Sequence, residues 1–346
     1  MPANLTPEYK AAADALRKAR DPAERLDCLR EMLRVIPRHK GTDHLQADLK
    51  RRIHELDEEL SAPKRGGARS SPALVVRPEG AAQIALLGPP NGGKSALHAR
   101  LTGSGAKSGP YPYTTRFPEP GMLHWEDVNF QLVDLPAIAP AHPVPWIAST
   151  LQSADACWLV IDLSDPDCLS QVESVQAELA LRKVRLVTAW PAAAGQEAPD
   201  HAEDGSAADI FELRLPTLLV ANKADLLAHP ETDLVALADL EEPHFPVALV
   251  SASTGQGLGS LGAWLWSSLG LIRVYTKAPG KTAEQERPFT LRRGQQSVGD
   301  VARLVHRDMA RALKYARVWG ASVDADGQHV GREHVLADRD TVELHI

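Results

Sequence analysis

The stretch Gly88–Ser95, GPPNGGKS, limits what the chain can fold into more than any other feature. It fits G-x-x-x-x-G-K-[ST], a pattern that carries chemical meaning when it lies between a strand and a helix. Both flanks are present: residues 82–87 form an apolar run of strand length, and residues 96–101 can open a helix. In that setting the glycine-rich turn points backbone N–H groups inward, and together with the helix N-terminus they make an anion cradle. Gly88, Asn91, Gly92, Gly93 and Ala96 are the expected backbone of that cradle. Lys94 supplies a charge for outer phosphates, and the Ser95 hydroxyl can ligate magnesium.

The surrounding chain alternates strand-like and helix-like segments. Strands are expected at 82–87, 121–126, 128–133, 156–162, 217–221 and 246–250, with helices near 94–102, 143–153, 168–183, 231–240 and 258–269. Such alternation predicts an α/β domain, a mostly parallel sheet covered by helices on both faces, with ligand chemistry at the C-terminal strand ends. This domain is assigned residues 81–270. Residues 188–212, rich in Ala, Pro, Gly and acids, read as a flexible surface insertion within it. Residues 1–62 carry a helical apolar stripe that breaks and restarts at Asp21-Pro22, turns at Pro37–Thr42 and continues to Leu60, which predicts a helical hairpin. A basic linker, 63–80, follows. From Leu271 the texture changes to short strands around one main helix from Val298 to about Ala312, so 271–346 is expected to be a small α+β domain.

Charge divides along the same lines. Residues 1–70 carry 15 basic and 12 acidic side chains, residues 71–270 carry 10 and 23, and residues 271–346 carry 13 and 10. An acidic centre with mildly basic ends points to the ends as places where a polyanion would dock. The candidates are Arg38, His39, Lys40, Lys50, Arg51 and Arg52, then Arg292, Arg293, Arg303, His306, Arg307 and Arg311. Three cysteines in no zinc-binding spacing fit buried thiols in a reducing compartment, and no apolar run reaches membrane-spanning length. A cytoplasmic location is the expectation, with no membrane or DNA partner.

Further motifs follow the loop in order. Tyr111–Arg116, YPYTTR, lies in the loop after the first helix, where a hydroxyl can reach magnesium and a terminal phosphate and act as a switch. Asp134 ends a strand opposite the loop and can bind magnesium through water. Asn222-Lys223-Ala224-Asp225 follows the strand at 217–221. An Asp carboxylate can accept from N1–H and the 2-amino group of guanine, a donor pair adenine lacks, while the Lys stem covers the base. Ser251-Ala252-Ser253, after the next strand, can offer a backbone N–H to the guanine carbonyl.

These five segments, GPPNGGKS, YPYTTRFPEPG, DLPA, LLVANKAD and SAS, resemble the guanine-nucleotide motifs of the Obg superfamily of P-loop GTPases. The segment from Leu271 to Ile346 resembles the β-grasp TGS domain of developmentally regulated GTP-binding proteins, and the helical N-terminus resembles that subfamily more weakly. The resemblance implies GTP and GDP binding, magnesium-dependent hydrolysis, and work on the ribosome, ribosomal RNA or a translation factor. It implies roles for Lys94 and Thr115 in catalysis, for Ser95, Thr115 and Asp134 around Mg2+, and for Asn91 at a K+ ion. It also implies base reading by Asn222, Lys223, Asp225 and Ala252. The family's domain inserted within the G domain is missing here. Three departures stand out. Ala137 replaces the glycine whose N–H meets the γ-phosphate. Gly92 stands where valine is usual, which predicts a more mobile loop. Ala96 stands where a hydroxyl residue is common. Ile138 follows Ala137, where many small GTPases place a water-orienting glutamine. A nucleotide-sensing module that hydrolyses little or no GTP is therefore the alternative to an active GTPase.

Overall fold

The computed structural model describes residues 6–19, 22–37, 43–61, 75–104, 115–192, 212–240, 243–278 and 288–346. Three helices come first: α1 (Pro7–Lys18), α2 (Pro22–Val35) and α3 (Asp43–Ser61). The Thr6 hydroxyl caps α1 by accepting from the Tyr9 N–H at 3.2 Å, and Pro7 occupies the first turn, where its missing N–H costs nothing. The expected hairpin is thus three helices. Pro22 opens a new helix because its ring cannot continue an old one. Tyr9, Leu16, Leu29, Met32 and Leu49 close the small core between them. The expected turn residues Arg38, His39 and Lys40 lie outside the described residues.

The central sheet has seven strands: β1 (Gln83–Leu87), β2 (Glu119–Trp125), β3 (Val128–Asp134), β4 (Ala156–Asp162), β5 (Val184–Val187), β6 (Leu213–Asn222) and β7 (Val247–Leu249). They run in the order β2-β3-β1-β4-β6-β5, with β7 also pairing β6. Only the β2–β3 pairing is antiparallel. Successive side chains of a strand face opposite sides, so Ala85 and Leu87 enter one core while Ile84 and Leu86 enter the other. Both faces are covered, by α4 (Lys94–Thr102), α5 (Ile147–Leu151), α6 (Cys168–Ala180), α7 (Pro230–Leu240) and α8 (Leu261–Leu269). The all-buried pattern of β1 follows from that double cover.

Two features of this region differ from expectation. β5 was not expected at all; α6 stops early, the chain turns through Lys183 at φ 56°, and Val184 and Leu186 are buried. Within residues 188–192, expected as part of a surface insertion, Thr188 and Ala189 are exposed but Trp190 is buried. Trp190 is 6% exposed, meets Trp264 edge-on at 4.5 Å, and donates its indole N–H to the Thr217 carbonyl. Residues 193–211 of that insertion lie outside the described residues. No helix among the described residues is long and apolar enough to cross a membrane.

The C-terminal sheet holds β8 (Leu271–Thr276), β9 (Phe289–Arg292), β10 (Tyr315–Trp319), β11 (Gln328–Val330) and β12 (Asp340–His345), ordered β11-β10-β12-β8-β9. The central pair β8–β12 is parallel and the outer pairings are antiparallel. The helical stretch packs Val298, Val301, Ala302 and Ala310 on one face of the sheet, giving the expected α+β, β-grasp arrangement. It is two helices, α9 (Val298–Val305) and α10 (Arg307–Ala312), rather than one. His306 is extended (φ −167°), and its ring accepts from the Asp308 N–H to cap α10.

Candidate functional site

The site forms where the C-terminal ends of β1, β3, β4 and β6 meet the loops that follow them. Between β1 and α4 the loop folds back tightly enough to need its glycines. A Cβ on Gly88 (φ 146°) would lie 2.2 Å from the Val160 carbonyl oxygen, and one on Gly93 (φ 91°) 2.2 Å from the Asn222 amide nitrogen. Gly92 has the same constraint: its Cβ would lie 2.7 Å from the Val160 oxygen. Glycine at 92 thus permits the close approach to β4, a role beside the mobility expected of it. Asn91 is exposed and left-handed (φ 64°), and Ala96 is half-buried in the first turn of α4.

Lys94 is 6% exposed. Its ammonium donates to the Gly88 and Pro89 carbonyls at 3.1 and 2.8 Å. Burial lowers its pKa to about 8 against the opposing pull of Asp134. Ser95, Thr115 and Asp134 converge beside it. Ser95 Oγ donates to Asp134 Oδ2 at 2.6 Å and lies 2.9 Å from Thr115 Oγ1, which itself donates to the same carboxylate oxygen at 3.1 Å. Asp134 is fully buried and its other oxygen, Oδ1, has no hydrogen-bond partner among the described residues. An orphaned carboxylate oxygen beside two hydroxyls is a hard-oxygen set that fits magnesium. Tyr111–Thr114, the rest of the expected switch segment, lie outside the described residues.

At the next loop the Ile138 N–H donates to the Gly88 carbonyl at 3.1 Å. The Ile138 side chain is buried in the core cluster that also holds Leu87 and Leu135. Ala137 is 7% exposed.

At the other end of the site three segments are tied by one side chain. Asn222, 1% exposed, donates from its amide to the Gly92 carbonyl at 3.1 Å and accepts the Ala252 N–H at 3.0 Å. The Ala252 N–H expected to meet the base is thus engaged by Asn222. Asp225 is exposed, with each carboxylate oxygen held by a hydroxyl: Oδ1 by Ser251 at 2.6 Å and Oδ2 by Ser253 at 2.8 Å. Those two hydrogen bonds lower its pKa. Ser251 in turn accepts the Thr254 N–H.

The comparisons with known proteins agree with this geometry. Residues 83–189 match the family described as 50S ribosome-binding GTPase, and residues 272–346 match the TGS domain. The chain carries a G domain of the P-loop GTPase fold and a C-terminal TGS domain. An uncharacterized GTP-binding protein of Halobacterium salinarum is 28% identical, covering 93% of this chain and 98% of its own. One from Methanocaldococcus jannaschii is 29% identical, with 93% and 92% covered. Developmentally-regulated G-protein 2 of Arabidopsis thaliana is 27% identical, with 91% and 88% covered.

One residue of this GTPase fold escaped the sequence reading. Asp162, at the end of β4, pairs with Lys223 at 2.6 Å, while its other oxygen accepts from the Ser164 N–H and hydroxyl. Lys223 sits at φ 63°, a strained conformation for a residue with a side chain, and the ion pair fixes where its stem runs. Asp162 lies in register with Asn222, a pairing between distant strands that no local sequence pattern announces. Several basic residues expected to meet a polyanion also lie beside carboxylates of the chain. Arg51 bridges to Asp48, Arg292 to Asp155 at 2.5 Å, Arg303 to Asp300, and Arg307 to Glu24 at 3.4 Å. Arg292, Arg303 and Arg307 line a cleft of about 1450 Å³ that also carries Glu24, Asp127, Asp300 and Glu333, a lining of mixed charge.

Proposed function

We propose that this chain binds GTP and GDP between the 88–95 loop and the 222–225 and 251–253 segments, and hydrolyses GTP to GDP and phosphate as a nucleotide-state switch. The observation that carries this reading is Asn222, whose single side chain ties Gly92 of the phosphate loop to Ala252 of the base loop. A base and a phosphate chain are thereby to be read at a fixed separation. Asp225, oriented by Ser251 and Ser253, accepts the guanine N1–H and 2-amino group; each carboxylate oxygen keeps a lone pair beyond its hydroxyl. The Lys223 stem, drawn out by Asp162, covers the base. Lys94 trades its two carbonyl partners for phosphate oxygens. Ser95, Thr115 and Asp134 would hold magnesium, which supplies charge neutralisation at the outer phosphates when bound. The fit rests on the unpartnered Asp134 Oδ1 and the two hydroxyls beside it.

Attack by water in line with the departing phosphate then needs only positioning and charge stabilisation. Lys94 and the loop N–H groups of Gly93, Ser95 and Ala96 supply the charge. Residue 138 supplies no polar group, so the exposed Asn91 is assigned a potassium ion that assists the same charge. The family description of residues 83–189 and the TGS match support a ribosomal or translation-factor partner. The second reading, a sensor that keeps its GTP, is favoured by the buried, apolar Ile138 and by Ala137.

Single-turnover hydrolysis separates the two. The switch reading expects bound GTP to be cleaved, faster in KCl than in NaCl; GTP intact after hours with purified ribosomes would leave the sensor. Equal rates in the two salts would remove potassium alone. Co-sedimentation with ribosomes, stronger with a GTP analogue than with GDP, is the expected partner result.

A further inference from the structure

The proposed nucleotide site and the TGS domain share one element. β2 begins four residues after Thr115 and β3 ends at Asp134, so one hairpin joins two of the three side chains that converge beside Lys94. Its middle rides on the helix that carries Lys94 and Ser95. A Cβ on Gly121 would lie 2.7 Å from both the His98 ring and the Thr102 methyl group of α4.

The far end of the hairpin is held by the TGS domain. Arg273 of β8, with its side chain only 4% exposed, donates from Nη1 to Glu126 and to Asp127, each at 2.6 Å. Its Nε meets Asp338 at 3.2 Å. The Tyr275 hydroxyl donates to the second oxygen of Asp127 at 2.6 Å. The guanidinium also lies 5.5 Å from the Trp125 ring and 4.5 Å from the Trp266 ring. Trp125 is wedged against Gly262 of α8, where a Cβ would come within 2.6 Å of the indole. A guanidinium this buried is tolerable only while its charge is paired and its donors are used. Two of its three carboxylates belong to the hairpin turn. Sliding the hairpin past β8 would therefore strand a buried cation, and the joint resists gradual slip.

We propose that the β2–β3 hairpin, gripped at its turn by Arg273 and Tyr275, is the lever through which the nucleotide site and the TGS domain sense each other. The proposal rests on the guanine-nucleotide reading. A terminal phosphate orders the segments next to Thr115 and Asp134, and these are the two roots of the hairpin. Its turn then presents a different position to β8. By linkage the effect is reciprocal: a partner that displaces the TGS domain changes the ratio of GTP to GDP affinity by the same factor.

Hydrogen–deuterium exchange on the full chain tests this, with Mg2+ and either GDP or a non-hydrolysable GTP analogue. The expected result is exchange differing by about threefold or more between the two states at residues 271–276 and 338–340, as well as at 115–119 and 134–139. Asp127→Asn combined with Tyr275→Phe should erase the difference in the TGS domain and keep it at 115–119 and 134–139. It should also shift the ratio of the two affinities by about fivefold. A wild-type chain whose segments at 115–119 and 134–139 respond while 271–276 does not would overturn the lever, whatever the variant does. No change at 88–95 with either nucleotide would instead overturn the guanine reading, and the lever with it.

Discussion

Lys94 couples phosphate binding to a proton. Its ammonium is buried against two carbonyls, and burial lowers its pKa to about 8. Phosphates favour the charged form, so the pKa rises when a nucleotide binds. Between the two values binding must take up a proton. The affinity for GDP is therefore constant below about pH 8 and falls by up to about tenfold per unit above it. Calorimetry at pH 9 in buffers of different ionisation enthalpy should detect that proton; a flat profile from pH 7 to 9.5 would count against a phosphate contact at Lys94. Gly92 gives a second prediction at this scale. Valine, usual in the resembled family, would set its Cβ 2.7 Å from the Val160 oxygen here. Gly92→Val should lower GDP affinity by about tenfold or more, since a one- to three-kcal/mol strain falls on the loop itself. An unchanged Kd would show that the loop gives way freely.

The elements around the site were legible to very different degrees. β1, α4, β3 and β4 stand close to their expected bounds because each carries its own pattern, an apolar run or a glycine-rich turn, within a few residues. β5 was missed because Val184–Val187 is four residues long and merges with the helical pattern before it. The packing of Trp190 was hidden by its Ala- and Pro-rich neighbours, since composition over a window outweighs one aromatic ring. That ring carries a testable consequence. Trp190 fills a gap between β6 and α8 and donates to the Thr217 carbonyl. Trp190→Ala should destabilise the fold by about 3–5 kcal/mol, read from the urea midpoint; a loss under about 1 kcal/mol would mean that the segment is not anchored there. The site shows the same division. Lys94, Ser95, Asp134 and Asp225 could be named from their motifs. Asp162 and the double role of Asn222 depend on register between strands far apart in the chain, which no local pattern encodes.

Over the whole molecule, the proposed nucleotide site at the C-terminal strand ends is joined to the TGS domain through the β2–β3 hairpin, and some of the basic side chains of the ends lie beside carboxylates. Arg51, Arg303 and Arg307 sit beside carboxylates of the same two ends, which the net charge already counts, and their side chains stay largely exposed; Arg292 pairs with Asp155 of the central domain. All of this depends on the site being a guanine site. The most direct measurement is competition for the full-length protein, with Mg2+, by GDP, ADP and xanthosine diphosphate against labelled GDP, repeated on Asp225→Asn. The carboxylate held by Ser251 and Ser253 predicts GDP favoured over ADP by about 100-fold or more, and a switch of preference from guanine to xanthine in the variant. Equal competition by GDP and ADP, or a variant that keeps its preference for GDP, would contradict the account.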